Sequence, residues 1–475
     1  MNLANIGNFI QDFITNNKKV HFIGIGGIGM SALALILHQY RIDIQGSDLK
    51  QNYLINKLTD ANIKVFLEHK ASNLNNTIGL VVKTSIIKDS NPEIIYAKEH
   101  NIPIITRADL LALLMQNYQG ITVAGTHGKT TTTAMIGVLM ESANLDPTII
   151  NGGTIHYFNS NYKIGHGKHI VAESDESDAS FVKLPSIAGV ITNIEPEHLE
   201  FAGYNNDFSI QKQYFWQYAK QIKGIVAVCI DSPVVFELYQ NLNSNNIFSY
   251  SLHHHNFSKL WAENITCNHL GIKFDAVFAD GNKIANISMP IYGKHNVSNA
   301  LAAIAIANFL GLNAEQITTG LAKFSGVKQR FTKVGEYQGN AIIDDYAHHP
   351  TEISATLDAA RTLVGNKKLI CIVEPHKFTR IRDLFDEFCK AFNSADTVIV
   401  SDIYSASQVP IDGINQDTLI AGIKKYHQNV IKLESPQLLA NTVKQHLTSD
   451  GLIICMGAGL ISSWANNLEH QLKCN

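Results

Sequence analysis

The stretch from Ile121 to Thr133, reading Ile-Thr-Val-Ala-Gly-Thr-His-Gly-Lys-Thr-Thr-Thr-Thr, constrains this chain more than any other. A β-branched run ends in a glycine turn. Lys129 and Thr130 follow, and then a segment of helical character from Thr131 to Ala143. Strand, glycine loop and helix together wrap backbone N–H groups around phosphate oxygens, and the helix N-terminus adds partial positive charge. In such a loop Lys129 reaches the terminal phosphates and the Thr130 hydroxyl sits on Mg²⁺. The spacing is short: only Thr126 and His127 separate Gly125 from Gly128, where the common form has four residues between its glycines. A Gly-Lys-Thr in an ordinary turn is the bland alternative. The strand before it and the helix after it favour ATP.

A chain of 475 residues gives room for about three domains. Its formal net charge of −3 provides no electrostatic footprint for nucleic acid or an anionic membrane. The six cysteines form no close pair and no metal-ligand spacing, which fits thiols in a reducing cytosol. The first residues are rich in Asn, Gln and Asp and lack the apolar core of a signal peptide. No apolar run approaches the ~20 residues of a membrane span. These features point to a cytoplasmic protein.

Lys19 to Gly24 reads as a buried strand running into Gly24-Ile-Gly26-Gly27-Ile-Gly29, a complete G-x-G-x-x-G. An apolar helix is expected over Ile28–Leu37 and a second strand over Ile42–Gly46, ending at Ser47 and Asp48. Asp48 lies 19 positions beyond Gly29, near the ~20 expected of the acidic residue that holds a ribose. On its own this opening suits an NAD-dependent oxidoreductase. It suits any nucleoside diphosphate equally, because glycines and a helix N-terminus bind pyrophosphate whatever lies beyond it. A further strand, Gly79–Lys83, leads into Thr84 and Ser85; Ile104–Thr106 and a helix from Arg107 to Leu114 follow. The polar segment Gln116–Gly120 marks a domain boundary.

In the second domain the strand His169–Glu173 delivers Glu173 at its C-terminal end, where ligands collect in α/β sheets and where a carboxylate can hold Mg²⁺. Some of Asp175, Glu176 and Asp178 read as a solvated acidic loop. The strand Gly189–Ile194 ends at Asn193, Glu195, Glu197 and His198, and a ligand or substrate role is expected for His198. His253, His254 and His255 read as a surface loop. Gly224–Ile230 is expected as a strand, and Phe248–Met289 as short antiparallel β with a turn at Asp280-Gly281. Gly293-Lys-His295-Asn296 introduces an apolar helix, Ala300–Leu310. His295 beside Asn296 could stack on a base and hydrogen-bond it. The basic stretch ending at Arg330 and Phe331 marks a second boundary.

The third domain alternates strand and helix: Ala341–Asp345, Ile353–Leu363, Lys368–Val373, Ile381–Phe392, Thr397–Ser401 and Gly451–Met456. That is a mostly parallel, doubly wound sheet. Asp344-Asp345-Tyr346-Ala-His348-His349-Pro350 follows one strand, and Glu374-Pro-His376-Lys377-Phe-Thr-Arg380 follows another. Helix entry by Asp and Pro is the plain explanation. Two His/basic clusters at neighbouring strand ends make an anionic substrate pocket the better one.

Together these motifs resemble the Mur ligase family over essentially the whole chain. The carrying segments are His21 to Ser31, Gly125 to Thr133, Glu173 to Asp178, Thr192-Asn-Ile-Glu195 with His198, Gly293 to Asn296, and Asp344 to Pro350. The short phosphate loop is itself a trait of that family. The resemblance implies an α/β protein of three domains: a Rossmann-like N-terminal domain (1–118), a central P-loop ATPase-like domain (119–326) and a C-terminal Rossmann-like domain (327–475). It implies ATP-dependent ligation of L-alanine to UDP-N-acetylmuramate in peptidoglycan precursor synthesis, with Mg²⁺, by a monomer or weak homodimer. An acyl phosphate forms first and the amine of L-alanine then attacks it. The first glycine turn, Gly24, Gly26, Gly27 and Gly29, then serves UDP rather than NAD, with Ser47 and Asp48 at the uridine end and Thr84 and Ser85 near the diphosphate. Gly125, Thr126, His127, Gly128, Lys129, Thr130 and Thr131 take the ATP phosphates, together with Asn193. Thr130 and Glu173 hold one metal and His198 a second. His295 and Asn296 take the adenine side, Arg330 the phosphates and Asp345 the ribose. Tyr346, His348, His376, Lys377 and Arg380 surround the alanine. Lys129, Glu173, His198, His348 and Arg380 carry the chemistry.

The chain departs from the family pattern in places. Lys377 and Phe378 stand for Arg and Tyr, Gln329 for a second Arg, and His198-Leu-Glu200 for His-Met-Asp. Lysine cannot make the bidentate fork to a carboxylate. Other readings are a ligase that recycles whole peptides onto the same UDP-sugar, an oxidoreductase resting on the first domain alone, and a nucleotide sensor without catalysis. The oxidoreductase leaves Lys129 and Glu173 unused, and the sensor does not need the His/basic clusters.

Overall fold

A computed structural model describes residues 13–201, 203–242, 244–406 and 408–474. The signal-peptide reading rests partly on residues 1–12, which lie outside the described residues. The described residues form three sheets, and the chain divides into two compact units. The first runs to Trp261 and adds Phe278–Asp280 and Asn299–Leu321; the second comprises Ala262–Val277, Gly281–Ser298 and the chain from Ala322.

In the first unit, β1 (Lys19–Ile23), β2 (Asp43–Ser47), β3 (Lys64–Phe66), β4 (Ile78–Lys83) and β5 (Ile104–Thr106) make a parallel sheet of order β3-β2-β1-β4-β5. The helix Ile28–Gln39 is buried continuously from Met30 to Leu37. Its sequence is apolar on all sides, so it has no solvent face to present. The second sheet begins with β6 (Gln119–Ala124), β7 (Thr148–Ile155), β8 (Ser160–Lys163) and β9 (His169–Glu173). It continues with β10 (Ala188–Ile191), β11 (Ile225–Cys229) and β12 (Ile247–Ser251), in the order β12-β11-β10-β6-β9-β7-β8. One hydrophobic core holds Val20, Phe22, Leu33 and Leu80 together with Ile150, Ile170, Ala172 and Leu184. The two sheets share this core, and the polar stretch Gln116–Gly120, which reads as a boundary, leads from the helix after β5 into β6.

The stretch expected as antiparallel begins differently. β12 is parallel to β11, and its Tyr250 and Ser251 pair in parallel with Leu260 and Trp261 at the start of β13 (Leu260–Asn268). β14 (Gly271–Phe278) follows as the neighbour of β13 and forms an antiparallel hairpin with β15 (Lys283–Met289), with Ile272 opposite Met289. In the second unit β16 (Thr332–Tyr337), β17 (Asn340–Asp345), β18 (Leu369–Val373), β19 (Thr397–Val400), β20 (Val430–Lys432) and β21 (Leu452–Met456) stand in the order β16-β17-β21-β18-β19-β20. All pair in parallel except β16 with β17. Alternate residues supply the cores on the two faces: Cys371, Val373 and Ile454 one, Ile370, Ile372 and Ile453 the other. The single helix expected over Ile381–Phe392 is two, Phe378–Asp383 and Phe385–Lys390. Leu384 leaves helical geometry at φ −124, ψ 33. No disulfide joins any of the six cysteines, His253–His255 lie in an exposed loop, and no described helix is long and apolar enough to cross a membrane.

Candidate active site

β6 is flanked by β10 and β9, and its C-terminal end carries the phosphate loop between theirs. Gly125 sits at φ +135 and Gly128 at φ +81, the left-handed region glycine enters without strain. Neither position has room for a side chain. A Cβ at Gly125 would lie 2.0 Å from Thr192 Oγ1, and one at Gly128 would lie 2.6 Å from Asn299 Oδ1. Thr192 Oγ1 donates to His127 O (2.6 Å), and the His127 N–H donates to Asn193 Oδ1 (2.8 Å). Glu195 N–H donates to Thr126 Oγ1 (2.8 Å). The loop is thus laced to the end of β10, with Gly128 leading the helix Lys129–Ser142.

The Lys129 ammonium donates to Gly125 O (2.7 Å) and Thr126 O (3.0 Å) and pairs with Glu176 at 2.7 Å. Burial alone would depress the lysine; Glu176, Glu173 and Asp175 outweigh it and raise the pKa. Burial pushes the Glu176 carboxyl up to about 7, against the pull of Lys129. Thr130 Oγ1 donates to Glu173 Oε1 (3.0 Å), and the Gly152 N–H donates to Glu173 Oε2 (2.7 Å). Thr130 and Glu173 therefore face one another at the head of a helix, an arrangement of hard oxygen donors suited to a divalent cation. His198 lies on the loop after β10 at φ +56, its Nε2 3.6 Å from Glu197.

The first glycine turn lies at the end of β1. Gly26 N–H donates to Asp48 Oδ2 (2.8 Å), so Asp48 pins the turn. Thr84 faces Gly24, its Oγ1 buried with no partner among the described residues. Ser85 is exposed. Ser47 closes β2 beneath this turn. Its side chain is fully buried, and its hydroxyl donates to Glu93 Oε2 (2.6 Å) and meets His69 Nδ1 at 2.9 Å. Its carbonyl accepts from the Gly24 and Ile25 N–H groups, so it supports the turn from beneath. Glu93 also accepts from Asn73 Nδ2 (2.7 Å), and His21 Nε2 approaches it to 3.3 Å. Burial would raise this carboxyl, but His21, Ser47 and Asn73 together hold it below the ordinary glutamate range.

In the second unit, Asp345 ends β17 and accepts from Phe331 N–H and Ala347 N–H, both at 2.7 Å. Burial pushes its carboxyl up to about 6 against Arg330. The Arg330 guanidinium stands over the Tyr346 ring at 5.1 Å and 3.9 Å from Glu352. His295 and Asn296 belong to this unit. Gly293 leaves no free space toward Ala359, and Tyr292 packs on Phe331 at 5.5 Å. Asn296 Nδ2 donates to Tyr292 O (2.6 Å), while the His295 side chain is exposed. His348 and His376 stack edge to face at 5.4 Å, and His376 lies flat on Tyr404 at 5.6 Å. Arg380, buried at 5% exposure, donates to His376 O (2.5 Å) and meets His376 Nδ1 at 3.0 Å. Burial lowers the His348 pKa to about 3, so the ring is neutral near pH 7. Lys377 follows a cis peptide bond and heads the helix Phe378–Asp383.

Sequence reasoning passed over Glu176, Thr192, Asn299 and Glu93. Glu176 was visible only as one acid among four. For Glu93 no local signal exists.

Three family models match in succession: the Mur ligase family catalytic domain over residues 19–119, the Mur ligase middle domain over 123–307, and the Mur ligase glutamate ligase domain over 329–459. The chain belongs to the Mur ligase family. Two similar Mur ligases both bear the name UDP-N-acetylmuramate–L-alanine ligase. One, from Rhodospirillum centenum, is 41% identical over 461 residues, covering 95% of this chain and 94% of that protein. The other, from Bradyrhizobium diazoefficiens, is 42% identical over 462 residues, covering 96% and 97%. The crystal structure of the UDP-N-acetylmuramate-alanine ligase MurC of Thermotoga maritima matches with a TM-score of 0.82 at 27% identity, covering 96% of this chain and 99% of that one. A murein peptide ligase from Psychrobacter arcticus shares the Mur ligase fold, with a TM-score of 0.70 at 23% identity over 96% of this chain and 98% of that one.

Proposed function

We propose that this Mur ligase joins L-alanine to the carboxylate of UDP-N-acetylmuramate at the expense of ATP, giving ADP, phosphate and UDP-N-acetylmuramoyl-L-alanine. The observation that carries it is a laced phosphate loop with Lys129 at its head, in the same unit as a second glycine turn. Near-full-length relatives bearing that name support it.

A carboxylate is a poor electrophile, and both it and ATP are anions. Transfer of the γ-phosphoryl group to the carboxylate makes an acyl phosphate, whose carbonyl the alanine amine can attack. Phosphate then leaves from a tetrahedral intermediate. Lys129, turning from Glu176 to phosphate, would neutralise charge as it develops. Thr130 and Glu173 fit Mg²⁺ as a hydroxyl and a carboxylate already facing one another, with His198 for a second ion. When bound, Mg²⁺ would screen the phosphate oxygens and polarise the terminal phosphoryl group. Asp345 and Arg330 suit the ribose and phosphates of ATP, with His295 and Asn296 toward adenine. The cationic Arg380 and Lys377 suit the alanine carboxylate, with His348 neutral beside them.

The test is phosphate release from Mg-ATP with UDP-N-acetylmuramate and L-alanine. Release that requires both is expected; release that ignores either one would sink the reading. Turnover with a whole peptide but not with alanine would assign the recycling activity instead. Lys129→Ala should abolish turnover while UDP-sugar binding survives.

A further inference from the structure

Four acids stand at and just beyond the end of β9: Glu173, Asp175, Glu176 and Asp178. Three are engaged elsewhere. Glu173 accepts from Thr130 Oγ1 and from the Gly152 N–H. Asp175 Oδ1 accepts from the Ser177 N–H (3.0 Å), and its Oδ2 lies 3.5 Å from Arg107 Nη2. Asp178 Oδ1 accepts from the Ser180 N–H (3.1 Å). Among the described residues Glu176 alone of the four pairs with Lys129, at 2.7 Å.

Glu176 has little room to withdraw. Its side chain is 3% exposed. Its carbonyl accepts from the Tyr204 hydroxyl and from the Ala179 N–H (3.1 Å), and Tyr204 is itself fully buried. The ammonium is equally committed. A lysine has three N–H donors, and three oxygens stand around this one: Gly125 O, Thr126 O and Glu176 Oε2. A phosphate that takes Lys129 must displace one of them. The two carbonyls belong to a loop laced to the end of β10, so they hold their places. Glu176 is the only anion of the three, and a carboxylate beside an incoming phosphate is repelled by it.

We infer that Glu176 is a positioning residue that competes with nucleotide phosphate for the Lys129 ammonium, holding the lysine against the loop before ATP arrives and taking it back from ADP after the γ-phosphoryl group has left. This rests on reading the loop as the ATP site. The plain alternative is a static ion pair that only keeps a buried charge neutral. The two differ in sign. Loss of a static pair loosens the loop and weakens nucleotide binding; loss of a competitor strengthens it.

The experiment titrates the full-length wild type, Glu176→Gln, Lys129→Met and the double variant with Mg-ADP by calorimetry at fixed Mg²⁺, and times release of a fluorescent ADP analogue by stopped flow. Glu176→Gln removes the charge and keeps the shape. It is expected to bind ADP about tenfold more tightly and to release the analogue more slowly by a similar factor. In the Lys129→Met background the same change should leave ADP affinity nearly unmoved, because Glu176 acts through the lysine. Glu176→Asp keeps the charge but shortens its reach, so it should tighten ADP by a smaller factor. Thermal melts check folding, and Glu176→Asp carries the test if Glu176→Gln does not fold. Unchanged or weaker ADP binding in the folded variant would overturn the proposal in favour of the static pair. Tightening of equal size in the Lys129→Met background would overturn it in favour of plain repulsion. Tightening that needs Lys129, in a protein that releases no phosphate with ATP, UDP-N-acetylmuramate and L-alanine, would sink the ligase reading and leave this one standing.

Discussion

At the scale of single residues, Glu93 shows how a site is held from below. It receives Ser47 and Asn73 and lies 3.3 Å from both His21 and His69, with its side chain wholly buried. Removing one member of such a network leaves the others facing apolar surroundings. Glu93→Ala should therefore cost about 3 kcal/mol or more of stability, read from the urea midpoint. The pH dependence has a definite sign. This carboxyl is held below its unfolded value, so its contribution is complete above the ordinary glutamate pKa of ~4.3 and is lost as pH falls through the lower folded value. Glu93→Ala should flatten the acid limb of the stability curve; an unchanged limb would show that the network does not carry it. None of this was legible in the sequence. Ser47 and Glu93 are separated by 46 positions and meet only because the fold brings the end of β2 to the first turn of the helix Pro92–Glu99. Lys129, Thr130 and Glu173 were legible because a loop and the neighbouring strand end carry a recognisable chemical order. Ser47, equally polar and one residue from Asp48, had no mark to say that it points inward.

Elements fix where those side chains can stand. Glu173 ends β9, and β7 runs beside it in parallel, with Ile150 opposite Ala172. Gly152 on β7 gives the Glu173 carboxylate both its space and a hydrogen bond. A Cβ there would stand 2.3 Å from Oε2. The position has no left-handed φ to forbid alanine, so Gly152→Ala should fold and instead push Glu173 away from Thr130. Turnover is expected to fall by about a hundredfold, with a raised Mg²⁺ requirement. The unfolding free energy should change by no more than a mild surface substitution would give, within about 0.5 kcal/mol. Full activity at ordinary Mg²⁺ would show that Glu173 does not need its present place. Strands such as β5, β9 and β18 could be read from sequence, as apolar runs ending in polar residues. β7 could not, since Asn151, Gly152 and Gly153 interrupt its pattern. β12 was assigned the wrong partner type. Alternation reports which faces are buried but says nothing of which direction the neighbour runs.

Across the whole molecule the two glycine turns fall in one unit and the His348–His376–Arg380 cluster in the other. The sequence suggested three domains in series, and the three successive Mur ligase domains bear that out, as do the three sheets of the described residues. A core shared by the first two sheets, such as that of Val20 and Ile170, leaves no local trace in the chain. This division has a kinetic consequence. Changes in the second unit's cluster should act on the amino acid and spare UDP-sugar binding. Lys377 is the residue to change, because it heads the helix carrying Arg380 and stands where an arginine is usual in the family. Lysine supplies a point charge, whereas arginine adds a planar fork that fits a carboxylate. Lys377→Arg should therefore lower the KM for L-alanine by about tenfold, the worth of one added charge-assisted hydrogen bond. The dissociation constant for UDP-N-acetylmuramate should stay within error. A KM for L-alanine that does not move, or one that moves only together with UDP-sugar affinity, would mean that Lys377 does not face the amino acid. The second basic cluster would then need a different ligand.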